Sequence, residues 1–170
     1  MKSDFIVRTG DVLQIPTGDG RAYLAQVMGE HFAGIYVVVF DVVRPIADVL
    51  TGIDELATAS PVFAALTLDG HIARGTWKKS GHAEASSARF LPAYKVTTGD
   101  PVRYLVEDFA GTRQRPATPL EARALPYRKT SSPAFLDRAV RAREGLTPWL
   151  PALESVRADG VLLTADLFRA

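Results

Sequence analysis

Apolar residues between positions 11 and 43 come in short runs separated by turn residues, which is typical of β-strands rather than helices. A first run ends at Pro16 and a second begins at Tyr23. Between them, residues 17–20 read Thr-Gly-Asp-Gly and predict a hairpin turn, because Gly and Asp tolerate the positive φ angles of tight turns. Residues 36–43 are almost continuously apolar and predict a central strand covered on both faces.

The middle of the chain predicts one short helix and more strands. Residues 46–56 have the apolar spacing of a short helix. Residues 62–68 and 72–77 are strand-like, and the Asp-Gly pair at 69–70 between them predicts a second hairpin. Residues 102–106 predict a further strand.

Helix signals dominate the last third. Thr-Pro at 118–119, with Glu121 three residues after Thr118, is a helix-start pattern. Ser-Pro at 132–133 opens an amphipathic helix that runs to Gly145, and Thr-Pro at 147–148 starts a third segment. We therefore expect an α+β fold, in which an N-terminal bent antiparallel β-sheet or partial SH3-like barrel is flanked by C-terminal helices.

Composition indicates a packed cytoplasmic protein. Of the 170 residues, 47% are hydrophobic and 23% charged, which favours a globular core over disorder. There is no cysteine, so disulfides and cysteine-ligated zinc are excluded. The N-terminus lacks the features of a signal peptide, and no apolar run approaches the length of a membrane span, so we expect no membrane association.

Charge does not favour nucleic-acid binding. The net charge is +1, with 9 basic and 11 acidic residues in the first hundred positions and 11 and 8 in the remainder. A dedicated nucleic-acid-binding domain usually has a pI above about 9, whereas the pI here is near 8.0. An SH3-like nucleic-acid-binding module stays as an alternative, because the last third carries a basic surplus.

No residue constellation predicts catalysis, a cofactor or a metal. Nucleophile-elbow, Walker, dinucleotide-binding and zinc-protease motifs are all missing from the sequence. The histidines are scattered rather than spaced as metal ligands; they are His31, His71 and His82. An enzyme remains the second alternative if acids distant in sequence converge in the fold, and the candidates are Asp11, Asp19 and Asp41.

One aromatic residue stands next to a basic pair. Trp77 precedes Lys78 and Lys79, and Trp beside cations is typical of the anchor of a binding interface. The alternative is a core Trp whose N–H donates to a backbone carbonyl. For Trp149, packing against the sheet is the expected role. We take Trp77, Lys78 and Lys79 as the candidate partner-binding residues.

Several fragments, in this order, resemble the immunity protein 26 family. They are Gly-Asp-Val-Leu-Gln-Ile-Pro (10–16), Gly-Asp-Gly-Arg-Ala-Tyr (18–23), Gln-Val-Met-Gly (26–29), Phe-Asp-Val (40–42), Gly-Thr-Trp-Lys (75–78) with Gly81, and Arg-Pro-Ala-Thr (115–118) with Glu121. The resemblance covers roughly residues 9 to 144. It implies one β-rich domain over residues 1–144, with residues 145–170 as a C-terminal extension packed on it.

The resemblance also implies a function. A member of this family is a bacterial immunity protein that binds the toxin domain of a polymorphic toxin system and inhibits it stoichiometrically, without chemistry. It implies no catalytic, cofactor-binding or metal-ligating residues in this chain. The expected partner is therefore a cognate toxin domain.

Overall fold

The computed structural model describes residues 7–169, and its antiparallel sheets with short helices confirm the predicted α+β class. Its strands are β1 (Asp11–Pro16), β2 (Arg21–His31), β3 (Gly34–Pro45), β4 (Pro61–Thr67), β5 (Lys78–His82), β6 (Tyr94–Thr98), β7 (Arg103–Glu107) and β8 (Gln114–Pro116).

The helices are all short. The α-helices are α1 (Gly70–Ala73), α2 (Pro119–Ala124), α3 (Ala134–Arg143) and α4 (Thr164–Leu167), and 3-10 helices cover Ile46–Glu55, Ser87–Arg89 and Pro151–Val156. Between residues 7 and 169, none has the length and apolarity that crossing a membrane requires.

The chain forms two compact units. In the described chain, the first unit comprises residues 7–86 and 130–160, and the second comprises residues 87–129 and 161–169. This division differs from the expected domain over residues 1–144 with an extension after it. Most of the expected extension belongs to the first unit, and its last residues belong to the second.

The first unit is built on a five-stranded antiparallel sheet with the order β4-β3-β2-β1-β5. The predicted meander is confirmed, because β1 pairs with β2 and β2 with β3. The turn after β1 is also confirmed: Gly18 and Gly20 have φ angles of 94° and 88°, which L side chains rarely adopt. The strand predicted to be central is interior as β3, although β2 is the middle strand of the five.

The predicted hairpin around residues 69–70 is wrong. The amides of Ile72 and Ala73 both donate to the carbonyl of Asp69, at 2.8 and 3.0 Å, and this closes a helical turn instead of a hairpin. Ile72 and Trp77 are then buried in the core. The chain next reaches the opposite edge of the sheet, where β5 pairs with β1 rather than with β4.

The predicted amphipathic helix is confirmed as α3. Leu136, Ala139 and Val140 are fully buried in the same core as the sheet, and Gly145 follows the helix with a φ of 72°. The helix predicted to begin at 147–148 is wrong. Leu150 is extended because it precedes Pro151, and the 3-10 helix begins only there.

The second unit has a three-stranded antiparallel sheet with the order β6-β7-β8. The predicted strand at 102–106 is β7. The predicted helix start is confirmed by a capping box, in which the side chains of Thr118 and Glu121 each accept a backbone amide of the other. Ala93, Val106 and Leu125 form its buried core.

Two carboxylates attach α3 to the rest of the first unit. Near its start, Asp137 accepts the Trp77 indole N–H at 2.6 Å and lies 2.7 Å from Nε2 of His71. Just beyond its last residue, Glu144 accepts the hydroxyl of Tyr23 and, at 2.7 Å, the guanidinium of Arg21. Burial and the adjacent Glu144 hold the pKa of Tyr23 above its ordinary value, so its hydroxyl stays protonated and donates.

Removing the Tyr23 hydroxyl tests the second of these attachments. We expect Tyr23→Phe to lower the free energy of unfolding by about 1.5–3 kcal/mol, because a hydrogen bond to a charged acceptor is lost. Urea unfolding measures the change. The matched control is Tyr104→Phe, which removes a hydroxyl from an exposed tyrosine and should change stability by less than about 0.5 kcal/mol. Equal losses in both variants would contradict this role for Tyr23.

Candidate protein-binding site

The structure separates the three residues that the sequence grouped as partner-binding. Trp77 is 1% exposed, and its indole N–H donates to Asp137. The anchor interpretation of Trp77 is therefore corrected, because its ring packs in the core and is not on the surface. Lys78 and Lys79 are exposed on β5, an edge strand of the five-stranded sheet.

Lys79 is engaged by a buried carboxylate. Its ammonium lies 2.9 Å from Oδ2 of Asp11, which is 3% exposed. The same carboxylate accepts the Arg8 amide at 2.8 Å and lies 3.0 Å from Nδ1 of His82. Burial by itself raises the pKa of Asp11, but these hydrogen bonds from His82, Lys79 and Arg8 outweigh it and hold the pKa below its ordinary value.

The acidic residues and histidines singled out in the sequence do not converge on one site but contact separate partners. Asp19 pairs with Arg21 at 2.6 Å, and Asp41 pairs with Arg143 at 3.2 Å. Hydrogen bonds from Arg21 and then Thr17 lower the pKa of Asp19 to about 2. His71 and His82 each lie against one carboxylate. Among residues 7–169, no three His, Cys, Asp or Glu side chains are grouped as a metal site would require.

A groove opens at the other edge of the sheet, beside β4. Its volume is about 400 Å³, and its walls come from the start of β4, the end of α3 and the segment around the last 3-10 helix of the first unit. The residues that line it are Pro61, Val62, Phe63, Arg143, Trp149, Arg157 and Asp159. We call this the β4 groove.

Trp149 is the aromatic centre of the β4 groove. Its ring stacks on the buried ring of Phe63, with centroids 6.2 Å apart and an interplanar angle of 23°. The guanidinium of Arg157 lies over the indole, 4.8 Å from its centroid. The indole N–H donates to Glu154 at 2.7 Å. Trp149 packs against the sheet as predicted, yet it is only partly buried and keeps an accessible surface.

The two arginines of the β4 groove keep exposed guanidinium groups. The Arg143 side chain is 41% exposed and pairs with Asp41, and the Arg157 side chain is 46% exposed and pairs with Glu154 at 2.8 Å. Both acidic partners are at least half exposed. Such exposed ion pairs contribute only about 0–1 kcal/mol. Incoming carboxylates can therefore replace them at small cost.

Exposed apolar residues continue from the groove. The loop that carries Trp149 also leaves Leu146 and Leu150 each 45% exposed. Partly exposed Trp with Arg and flanking apolar side chains is the composition of protein-binding hot spots. Sequence reasoning missed this site because the residues that form it come from four separate segments. The one local signal was Trp149 between two prolines, Pro148 and Pro151.

Comparison with protein-family models, with curated proteins and with solved structures finds no match for this chain.

The hydrogen bonds that Asp11 accepts from Arg8, Lys79 and His82 should make the stability of the fold depend on pH. Because the folded pKa of Asp11 is depressed, its stabilisation is complete above the unfolded value of about 3.9 and is lost as the pH falls through the folded pKa. We expect Asp11→Asn to be less stable than wild type near pH 5, and the difference to shrink as the pH falls towards about 2. Urea unfolding across this range measures it.

A second variant checks the cause of that dependence. His82→Gln removes one of the groups that hold the carboxylate and should reproduce the same trend at smaller size. A stability difference for Asp11→Asn that stays constant from pH 5 to 2 would contradict the account.

Proposed function

We propose that this chain is a non-catalytic immunity protein of the immunity protein 26 type, which binds a cognate bacterial toxin domain and neutralises it in the cytoplasm. Support comes from the sequence fragments that resemble this family and follow one another in the same order. The geometric support is the β4 groove, because it exposes Trp149 and two arginines beside the edge strand β4.

The positions of the fragment residues are consistent with this proposal. Asp11, Tyr23 and Trp77 are each at most 3% exposed, and each is hydrogen-bonded to a distant part of the first unit. Residues in such positions maintain a fold and do not contact a partner. Chains that share them can therefore share a scaffold while each recognises its own toxin through exposed positions.

We place the toxin contact at the β4 groove. An apolar side chain of the toxin fits against Trp149 and Val62, and toxin carboxylates pair with Arg143 and Arg157 in place of Asp41 and Glu154. The partner is thus a protein surface with an apolar knob flanked by acidic residues. Binding of this kind needs no covalent step and inhibits by occupying the toxin surface.

Truncation of Trp149 tests the location. We expect Trp149→Ala to weaken binding of the toxin domain encoded by the neighbouring gene by at least about 30-fold, because a hot-spot aromatic contributes about 2 kcal/mol or more. Isothermal titration calorimetry measures the affinity. The matched control is Phe32→Ala, which truncates an aromatic side chain that is 88% exposed in the β2–β3 turn and should leave affinity unchanged.

Lys78→Ala distinguishes the groove from the site predicted by sequence. Lys78 is exposed, whereas Lys79 is held by Asp11, so only Lys78 reports on binding without disturbing the buried cluster. Loss of affinity in Lys78→Ala, with full affinity in Trp149→Ala, would move the contact to β5.

Survival of cells that express the toxin domain with and without this chain tests neutralisation itself, and equal killing in both cases would overturn the proposed function.

A further inference from the structure

The second unit carries an exposed row of two tyrosines with a lysine between them. Tyr104 is 41% exposed and Tyr127 is 52% exposed. The ammonium of Lys95 lies 5.7 Å from the Tyr104 ring centroid and 4.9 Å from that of Tyr127. We call these three residues the tyrosine row.

Strand register places the row on one face of the small sheet. Tyr104 on β7 is opposite Thr97 on β6, and Lys95 is two residues before Thr97, so Tyr104 and Lys95 share a face. A parallel bridge then sets Tyr127 beside Lys95. The Lys95 ammonium is fixed at 2.8 Å from the carbonyl of Ala122 in α2. The row is therefore ordered by backbone pairing and not by a flexible loop.

The second unit has a net positive charge that the near-neutral net charge of the whole chain does not reveal. Residues 87–129 and 161–169 contain nine basic and five acidic side chains, a net charge of +4, whereas the described residues of the first unit contain 10 and 13, a net charge of −3. The whole-chain value of +1 is the near cancellation of these two.

Most acids of the second unit are already neutralised. Four of the five pair with arginines within 2.7–3.1 Å, and these pairs are Glu107 with Arg128, Asp108 with Arg113, Glu121 with Arg115, and Asp166 with Arg169. Arg103, Arg123 and Lys129 are exposed and form no ion pair within the described residues. The excess positive charge therefore lies on accessible side chains. One of them, Arg123, directly follows Ala122, whose carbonyl accepts the hydrogen bond from Lys95.

We propose that the tyrosine row binds single-stranded nucleic acid. Bases stack on Tyr104 and Tyr127, since every base has a π face and aromatic stacking tolerates sequence. Lys95 meets the phosphate between two stacked bases, and the exposed Arg103, Arg123 and Lys129 add to the positive charge that attracts the strand. A polyanion with aromatic bases matches both features of the surface, whereas a protein partner would need a dense acidic patch to match the charge. This inference does not rest on toxin binding.

The test measures binding of fluorescein-labelled 15-nucleotide oligouridylate, oligodeoxythymidylate and a 15-base-pair duplex DNA to the full chain by fluorescence anisotropy. We expect both single strands, or the RNA alone, to bind more tightly than the duplex. Tyr104→Ala and Tyr127→Ala should each weaken single-strand binding by about 5- to 150-fold, the effect of one lost stacked base. Tyr104→Phe and Tyr127→Phe keep the rings and should stay within about 2-fold of wild type.

Two further variants separate stacking from charge and from the β4 groove. Arg123→Ala should reduce the slope of log affinity against log salt by about 0.7, one phosphate contact on a single strand. Trp149→Ala should leave oligonucleotide binding unchanged. The proposal is overturned if neither single strand binds, if the alanine variants bind like wild type, or if the two tyrosines affect only toxin affinity.

Discussion

Attachment of α3 to the rest of the first unit by a carboxylate near each end is the interaction on which that unit depends. The helix supplies Leu136, Ala139 and Val140 to the core, but apolar contact alone does not fix its position along the sheet. Asp137 and Glu144 do, because each accepts hydrogen bonds from side chains of different strands or turns. Carboxylates with so little exposure are stable only when such donors are present.

The β4 groove follows from that attachment. Arg143 is the last residue of α3, so its place beside Phe63 is set by the residue that follows it, Glu144. The loop after the helix then returns Trp149 to the same edge, where the backbone of Arg157 bridges Phe63 and helps to cover the edge of β4. Contacts within the chain thus already hold the side chains of this surface in place, and preorganisation of this kind lowers the entropic cost of binding.

Sequence predicted the parts of the fold that depend on neighbouring residues. The Gly-containing turn at 17–20, the capping box at Thr118 and the stop of α3 at Gly145 are all local, and each is confirmed. Pairing of β5 with β1 is not local, because the two strands are more than sixty residues apart. The Asp-Gly pair that follows β4 carried the sequence signal of a tighter turn. Long-range burial of Ile72 and Trp77 overrode that signal.

Dependence on residues distant in sequence also explains why the sequence did not predict the β4 groove. Both tryptophans stand beside Pro or Lys residues that leave their burial undecided, and only the distant Asp137 and Phe63 determine that Trp77 is inside and Trp149 partly outside. Counting charge along the chain also missed the net positive charge of the second unit. That unit is made of two segments separated by residues 130–160, so its basic residues are not consecutive in sequence.

That interleaving also has a consequence for biosynthesis. The ribosome releases the five strands of the first unit before the second unit, and releases α3 and the last 3-10 helix of the first unit only after residues 87–129. Until then, Leu136, Leu153 and Val156 are missing from the core, and the part of the sheet that they cover stays exposed. The nascent chain therefore carries a water-exposed apolar sheet through the synthesis of the second unit, a stage at which chaperones act on such surfaces.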